Sequence, residues 1–180
     1  MNGSNEQEGV RWYLQGAKDG KTAEKNAQGG DFEVSCFLFH QAAEKILKGY
    51  LCLRGERSLE GHSAMRLAAR CGEHDERFRG LLKVCSLLDL FYIPTRYPYA
   101  WPDGAPYEHF TLEHAQQAMD AFQDVYRAIY DTFKDLVEHV NRPGGQGSDQ
   151  EEPGRRGATR QVQVQGPGGP VQRGSAVDGL

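Results

Sequence analysis

The segment LDLFYIPTRYP, residues 88–98, ends an apolar run with an arginine that lies between two prolines. The planar guanidinium of Arg96 can donate two parallel hydrogen bonds to a phosphate, and aromatic rings can stack on a base or on the guanidinium. Three such rings follow closely in the sequence: Tyr97, Tyr99 and Trp101. The segment is therefore the first candidate for a ligand-binding site, with Arg96 as the anion contact.

The same arginine has a structural interpretation. Asp89, Tyr92 and Arg96 are spaced three and four residues apart, so they share one face if the helical turn continues to Arg96. Arg96 would then pair with Asp89 and clamp the end of the helix. The sequence leaves both interpretations open, and one side chain can serve both in different states.

Three further polar side chains belong to one predicted helix. Lys45 and Lys48 lie on its charged face, where Glu44 and Lys48 have the favourable i,i+4 spacing of a solvated pair. Both lysines would also suit a phosphate or the acidic surface of a partner. His40 is predicted to be a half-buried polar residue whose hydrogen bonds are made within the bundle.

No metal or cofactor motif is present. Cys71 and His74 in CGEH have a metal-like spacing, but other cysteines and histidines are distant, so no metal site is predicted. The sequence has no GxGxxG, P-loop or HExxH pattern. Its four cysteines form no CxxC pair, and three lie in apolar helical patterns. Reduced thiols in a core are predicted, with a disulfide framework as the alternative.

Helical periodicity accounts for the elements that would position these residues. Apolar residues recur at steps of three and four, and no segment sustains a period of two. The fold class is predicted to be all-α, an antiparallel up-and-down bundle of four or five helices with a long proline- and aromatic-rich loop before the last helix. The predicted helices are residues 10–28, 31–54, 63–71, 81–93 and 111–140, and the loop is residues 95–110.

Composition divides the 180 residues into a body and a tail. Residues 142–180 contain ten glycines, four prolines and no aromatic residue, which predicts disorder. Residues 1–9 are also predicted to be disordered, and residues 10–141 form the domain. The net charge of −4 argues against a generally basic nucleic-acid binder. No apolar run approaches the length of a membrane span, and the first ten residues resemble no secretory signal, which favours a cytoplasmic protein.

Four segments occur in a recognisable order: FHQAAEKILKGYL at 39–51, HSAMRL at 62–67, LDLFYIPTRYP at 88–98 and YEHFTLEHAQQAM at 107–119. Together they resemble the HEPN family of helical domains (higher eukaryotes and prokaryotes nucleotide-binding). RWYLQGAKD at 11–19 is similar to the first helix of that family. The resemblance covers roughly residues 10–140 and includes the order and spacing of the motifs.

The resemblance implies an antiparallel helical bundle that is commonly a homodimer and is proposed to bind nucleotides. Members are often encoded beside a small nucleotidyltransferase that acts as a partner. Some branches are RNA-cutting toxins that use an arginine and a histidine a few residues apart, in an R-x4–6-H pattern on a late helix.

RNA cleavage without a metal needs a proton-transfer group near the 2′-hydroxyl and a cation that faces the phosphate. Arg57 and His62 have the toxin spacing, but they lie in the link after the second predicted helix. Arg96 has no histidine within six residues, so a pair with His109 would require the loop to bring the two together. The alternative role of His62 is a cap or polar anchor of the short third helix.

The sequence therefore predicts a non-catalytic nucleotide-binding and assembly module, homodimeric and working with a minimal nucleotidyltransferase. The alternatives are a ribonuclease toxin of a toxin–antitoxin pair and a purely structural homodimer. No resident cofactor is predicted, and the expected ligand is a nucleotide or RNA.

Overall fold

The computed structural model describes residues 3–140, so the predicted disorder of residues 142–180 lies outside the described residues. This part of the chain is all-α, as predicted, and contains no strand. Six α-helices are present, joined by short 3₁₀ segments at Glu76–Leu81 and Pro98–Ala100. The helices are α1 (Gly3–Gly29), α2 (Phe32–Leu53), α3 (Ala64–His74), α4 (Leu82–Asp89), α5 (Pro106–His109) and α6 (Leu112–Val140).

The long helices α1, α2 and α6 pack against one another, and the shorter α3 and α4 pack together against α2 and α6. Aromatic side chains fill the centre, where the rings of Tyr13 and Phe133 stack with centroids 4.4 Å apart. Buried aliphatic residues of α2, including Ile46 and Leu47, complete this core. None of the helices in the described range combines the length and hydropathy that a membrane crossing requires.

The first helix begins earlier than predicted. Residues 3–9, predicted to be disordered, form the first turns of α1. Glycine lowers helix propensity, but here it permits close contact between α1 and α2. A Cβ on Gly9 would lie 2.9 Å from the carbonyl oxygen of Gly49, and one on Gly16 would lie 2.8 Å from that of Ala42.

The helix predicted at 81–93 is shorter in the structure, where α4 ends at Asp89. A 3₁₀ segment precedes α4, and after Asp89 the chain turns through short-range backbone hydrogen bonds, including one from the Tyr92 N–H to the Asp89 carbonyl. The following loop is also more ordered than predicted, because it contains the second 3₁₀ segment and α5. The Trp101 indole N–H donates to the Pro94 carbonyl at 2.8 Å and fastens this loop to the helix exit.

All four cysteines are buried and unbridged, so reduced thiols are confirmed and the disulfide framework is wrong. Burial raises the pKa of Cys36 to about 12, assisted by the charge of Glu33. Burial likewise raises the pKa of Cys85 to about 12, assisted by Asp89. Such thiols are poor nucleophiles at neutral pH because the thiolate is scarce. The cysteines therefore act as small apolar core residues.

The glycine contact between α1 and α2 can be tested by Gly16→Ala. The added methyl would lie 2.7 Å from Ile46 Cγ1 as well as against the Ala42 carbonyl, so the helices must separate. We expect the free energy of unfolding in urea to fall by about 1–3 kcal/mol. Gly80→Ala is the control because its methyl would meet no atom within 4 Å. Equal stabilities of the two variants would contradict the close-packing explanation.

Candidate functional site

The Arg96 guanidinium lies among three aromatic rings. Its carbon is 4.5 Å from the ring centre of Phe37 on α2, 4.3 Å from that of Tyr92 and 4.9 Å from that of Tyr97. The Arg96 Nε–H donates to the Tyr92 carbonyl at 2.8 Å. Ring faces stabilise the cation, so aromatic contacts and one backbone bond hold the arginine at the helix exit.

The ion pair between Asp89 and Arg96 that their spacing suggested does not form among the described residues. The helical turn does bring Arg96 back to the Tyr92 carbonyl, but the carboxylate of Asp89 faces α3 and α2 instead. The physical reason is competition, because several neutral donors on those helices surround the carboxylate.

Asp89 joins three helices. Its carboxylate accepts hydrogen bonds from the Ser63 hydroxyl and the Ala64 N–H, both at 2.6 Å, and from the Met65 N–H at 3.3 Å. The ring of His40 approaches it from α2, with Nε2 3.3 Å from Oδ1. A carboxylate at a helix N-terminus satisfies backbone N–H groups that lack intrahelical partners. Asp89 therefore caps α3 from a distant part of the sequence.

The hydrogen bonds to Asp89 outweigh its burial. Burial alone would raise the pKa of Asp89, but the His40 and Ser63 side chains and the α3 backbone donors hold it below its usual range. They do so because each donor favours the charged carboxylate.

His40 is fully buried, not half-buried as predicted, and its hydrogen bonds are made within the bundle, as predicted. Nε2 lies 2.9 Å from the His62 carbonyl oxygen as well as near Asp89, so this nitrogen is the donor. Nδ1 faces the side-chain amide of Gln41 at 3.3 Å and accepts from it. This network assigns the neutral tautomer protonated at Nε2. His40 thereby fixes the backbone at His62.

The charged face predicted for α2 is partly buried. Lys48 donates to Glu44 at 2.7 Å, and both side chains are less than a tenth exposed. Gln41 also donates to Glu44, at 3.1 Å. The expectation of a solvated pair is wrong because the chain between α2 and α3 returns over this face, where His62 Nδ1 lies 3.3 Å from a Glu44 oxygen. Trp12 of α1 covers the other side, with Lys48 5.6 Å from its ring centre.

The His62 ring is held but accessible. It stacks on Tyr92 at 4.9 Å with an angle of 18° between the planes, and its side chain is 58% exposed. The adjacent Ser63 caps α3 by accepting from the Arg66 N–H. His62 thus lies directly before the cap, and its ring and the Arg96 guanidinium both contact the Tyr92 ring.

Other predicted residues lie elsewhere. Lys45 forms an ion pair with Asp19 of α1 at 2.6 Å. Trp101 stacks on His109 at 4.0 Å, and His109 Nε2 donates to the Asp103 carbonyl, so both rings belong to the loop structure. Within residues 3–140, no hydrogen bond, ion pair or ring contact joins Arg57 to His62 or Arg96 to His109. Tyr97 and Tyr99 stack on each other and are exposed.

The site contains two residues that sequence reasoning did not select, Glu44 and Gln41. The i,i+4 spacing of Glu44 and Lys48 was visible, but the same pattern is typical of a surface pair. The burial of Glu44 and Lys48 depends on the segment between α2 and α3, which folds back over α2. Nothing in the local sequence indicates that it does so. Ser63 was visible only as the start of a predicted helix.

The fold and this cluster define a class of protein: a helical bundle with a polar site where a central helix ends in an aromatic, arginine-containing turn. A family model described as the HEPN domain matches residues 10–133. The chain belongs to the HEPN family.

Two crystal structures support this assignment. TT1696 from Thermus thermophilus is 34% identical, with a TM-score of 0.64; the match covers 69% of this chain and 98% of that one. ST0689, described as an archaeal HEPN homologue, is 31% identical with a TM-score of 0.56 and the same coverage. No curated protein matches the chain.

The role of Asp89 as a charged cap predicts a specific acid sensitivity. Its folded-state pKa is depressed, so its contribution to stability is present above the unfolded pKa and is lost as the pH falls through the folded value. We expect Asp89→Asn to lower the free energy of unfolding by about 1–3 kcal/mol at neutral pH. The difference between the free energies of unfolding of Asp89→Asn and wild type, measured by urea titration, should shrink below about pH 4. An unchanged difference at acid pH would contradict this role of the charge.

Proposed function

We propose that this chain is a nucleotide-binding module in which Arg96 contacts a phosphate without catalysing a reaction. The observation that carries the proposal is the hydrogen-bonding state of the guanidinium. Among the described residues, Arg96 donates only through Nε, and no acceptor is bound by its two Nη groups. Those groups form the edge that recognises phosphate oxygens in a bidentate manner.

The surroundings of Arg96 support the same ligand. Its charge has no carboxylate partner within residues 3–140, while Asp89 is occupied by other donors. Next to it, Tyr97 and Tyr99 stack with centroids 5.4 Å apart, and Tyr99 is 76% exposed. An exposed tyrosine ring offers a face on which a base can stack. Cation and stacking surface thus occur in adjacent positions, as nucleotide recognition requires.

Assembly is the second part of the proposal. Leu90 and Ile93 are exposed apolar residues beside the site, and Tyr99 adds a large exposed ring. Exposed apolar surface of this kind suits a protein contact. The homodimer and the minimal nucleotidyltransferase partner rest on the resemblance to HEPN proteins and stay predictions.

Isothermal titration calorimetry with ATP, GTP and a short single-stranded RNA tests nucleotide binding. Arg96→Met is the informative variant, because an unbranched thioether can still pack against the aromatic rings but carries no charge. We expect the variant to bind about 10- to 100-fold more weakly, which corresponds to the loss of charge-assisted hydrogen bonds.

Arg127→Ala is the matched control. This arginine lies on α6 and forms only surface contacts with Asp124 and Gln123 in the described range. It should bind like wild type. Melting curves check that Arg96→Met remains folded. No binding by wild type, or equal binding by folded Arg96→Met, would reject Arg96 as the phosphate contact.

RNA cleavage is a second candidate. The observation that favours it is that the side chains of His62 and Arg96 both contact the ring of Tyr92. Neither sequence pair, Arg57 with His62 nor Arg96 with His109, is brought together, but this third combination places an imidazole and a cation on one ring. An imidazole supported by a carboxylate can transfer a proton, and a guanidinium can stabilise charge on a phosphate. Both groups needed for metal-independent cleavage are therefore present.

Cleavage of single-stranded RNA in the presence of EDTA tests this candidate. If it is correct, His62→Ala should reduce the cleavage rate by about 100-fold or more. His74→Ala should retain activity, because His74 pairs with Glu56 at the far end of α3. No cleavage by wild type, or equal loss in both variants, would reject His62 as the proton-transfer group.

A further inference from the structure

The Glu44–His62 pair has an unusual combination of burial and exposure. The Glu44 side chain is 6% exposed, whereas that of His62 is 58% exposed. A surface histidine normally has considerable rotational freedom, but this one is restrained at its ring by Glu44 and Tyr92 and at its carbonyl by His40. An exposed imidazole with this much support is suited to meet a ligand in one orientation.

The contacts of His62 define which nitrogen faces a ligand. Nδ1 lies 3.3 and 3.4 Å from the two oxygens of Glu44, so Nδ1 carries a proton in either charge state of the ring. Nε2 has no hydrogen-bond partner in the described part of the chain. The nitrogen that gains or loses a proton is therefore the one directed away from Glu44.

Arg96 and His62 both contact the Tyr92 ring, which limits the distance between them. The guanidinium carbon of Arg96 lies 4.3 Å from the centre of the Tyr92 ring, and the centre of the His62 imidazole lies 4.9 Å from it. The two groups are thus separated by no more than the sum of these distances. A phosphate that contacts both groups would lie at the edge of the Tyr92 ring, with hydrogen bonds of about 2.8 Å at each end.

The charged groups near this position are Glu44, Lys48, Asp89 and Arg96, two anions and two cations. Lys48 compensates Glu44, and Asp89 is satisfied by the α3 N-terminus, Ser63 and the neutral His40. Arg96 remains as the cation without an ionic partner in residues 3–140. A proton on His62 would add a second positive charge beside it. Two charges match a phosphate monoester, which carries close to −2 at neutral pH, better than a phosphodiester with −1.

We propose that His62 and Arg96 together bind a terminal phosphate monoester and that His62 takes up a proton when the ligand binds. This inference rests on the proposed nucleotide-binding function and adds the chemical class of the ligand. The terminal phosphate belongs to a free nucleotide or to the end of an RNA. Glu44 is the positioning residue, because it holds Nδ1 and turns Nε2 toward the phosphate.

The test is calorimetric titration of the full chain with AMP in buffers of different ionisation enthalpy. For wild type, the observed enthalpy should vary with the buffer in the direction of proton uptake. His62→Gln, which cannot carry the proton, should bind about tenfold more weakly and show no uptake by this residue. Glu44→Gln should lower the uptake while AMP still binds.

His74→Gln is the matched control, since His74 is also a partly exposed histidine bonded to a glutamate, with Nε2 2.9 Å from Glu56. Its affinity and proton uptake should equal those of wild type. A trinucleotide with a 5′-phosphate, the same trinucleotide with a 5′-hydroxyl, and adenosine distinguish the sources of the phosphate. The 5′-hydroxyl form and adenosine should bind much more weakly.

The outcomes separate this inference from the proposed function. AMP binding without proton uptake, or with uptake unchanged in His62→Gln, would overturn the role of His62 while nucleotide binding stands. Equal binding of the two trinucleotides would overturn the preference for a monoester. No binding of any nucleotide by wild type would overturn both proposals. NMR spectra of the wild-type histidine rings, recorded with and without AMP, detect protonation independently of the variants.

Discussion

The carboxylate of Asp89 is the interaction on which the site depends. It comes from the end of α4, accepts from Ser63 and the first backbone N–H groups of α3, and meets His40 of α2. One anion thereby joins three helices and satisfies backbone N–H groups at the start of α3 that have no intrahelical partner. Because His62 immediately precedes Ser63, the same interaction sets the position of the imidazole. The position of α3 against α2 and α4 and the geometry of the site therefore both depend on this group.

The buried side chains of this polar network are hydrogen-bonded to one another, whereas two groups at its exposed edge keep unused hydrogen-bonding atoms. His40, Gln41, Glu44 and Lys48 satisfy one another where water is excluded, as buried polar groups must. At its edge, His62 Nε2 and the Nη groups of Arg96 have no acceptor within residues 3–140. The aromatic rings explain how Arg96 can stay there, since they stabilise a cation without using its hydrogen-bond donors. Structural clamping and ligand contact are therefore compatible in this arginine.

Much of the fold could be predicted because α2 and α6 have long, regular apolar faces, which depend only on local sequence. Asp89, Tyr92, Arg96 and His40 could be selected for the same reason, since they occupy helical positions or follow one. The extent of α1 could not, because glycines that weaken an isolated helix are required for its contact with α2. Glu44 was missed as a site residue because its burial depends on the chain between α2 and α3. Likewise, the contact of both His62 and Arg96 with Tyr92 could not be predicted. It depends on Asp89 capping α3, which begins about 25 residues away in the sequence.

The two candidate activities make different geometric demands on His62. A catalytic base must approach a ligand hydroxyl within hydrogen-bond reach while the cation holds the neighbouring phosphate. Phosphate binding requires only that both groups contact oxygens of the same phosphate. In this bundle the imidazole and the guanidinium are each fixed by Tyr92 and by backbone contacts, so their separation is set by the fold. Simultaneous binding requires one phosphate to reach both groups, whereas cleavage would further require the ribose to lie between Nε2 and the phosphate. Phosphate recognition is therefore the less demanding of the two proposals for this pair of residues.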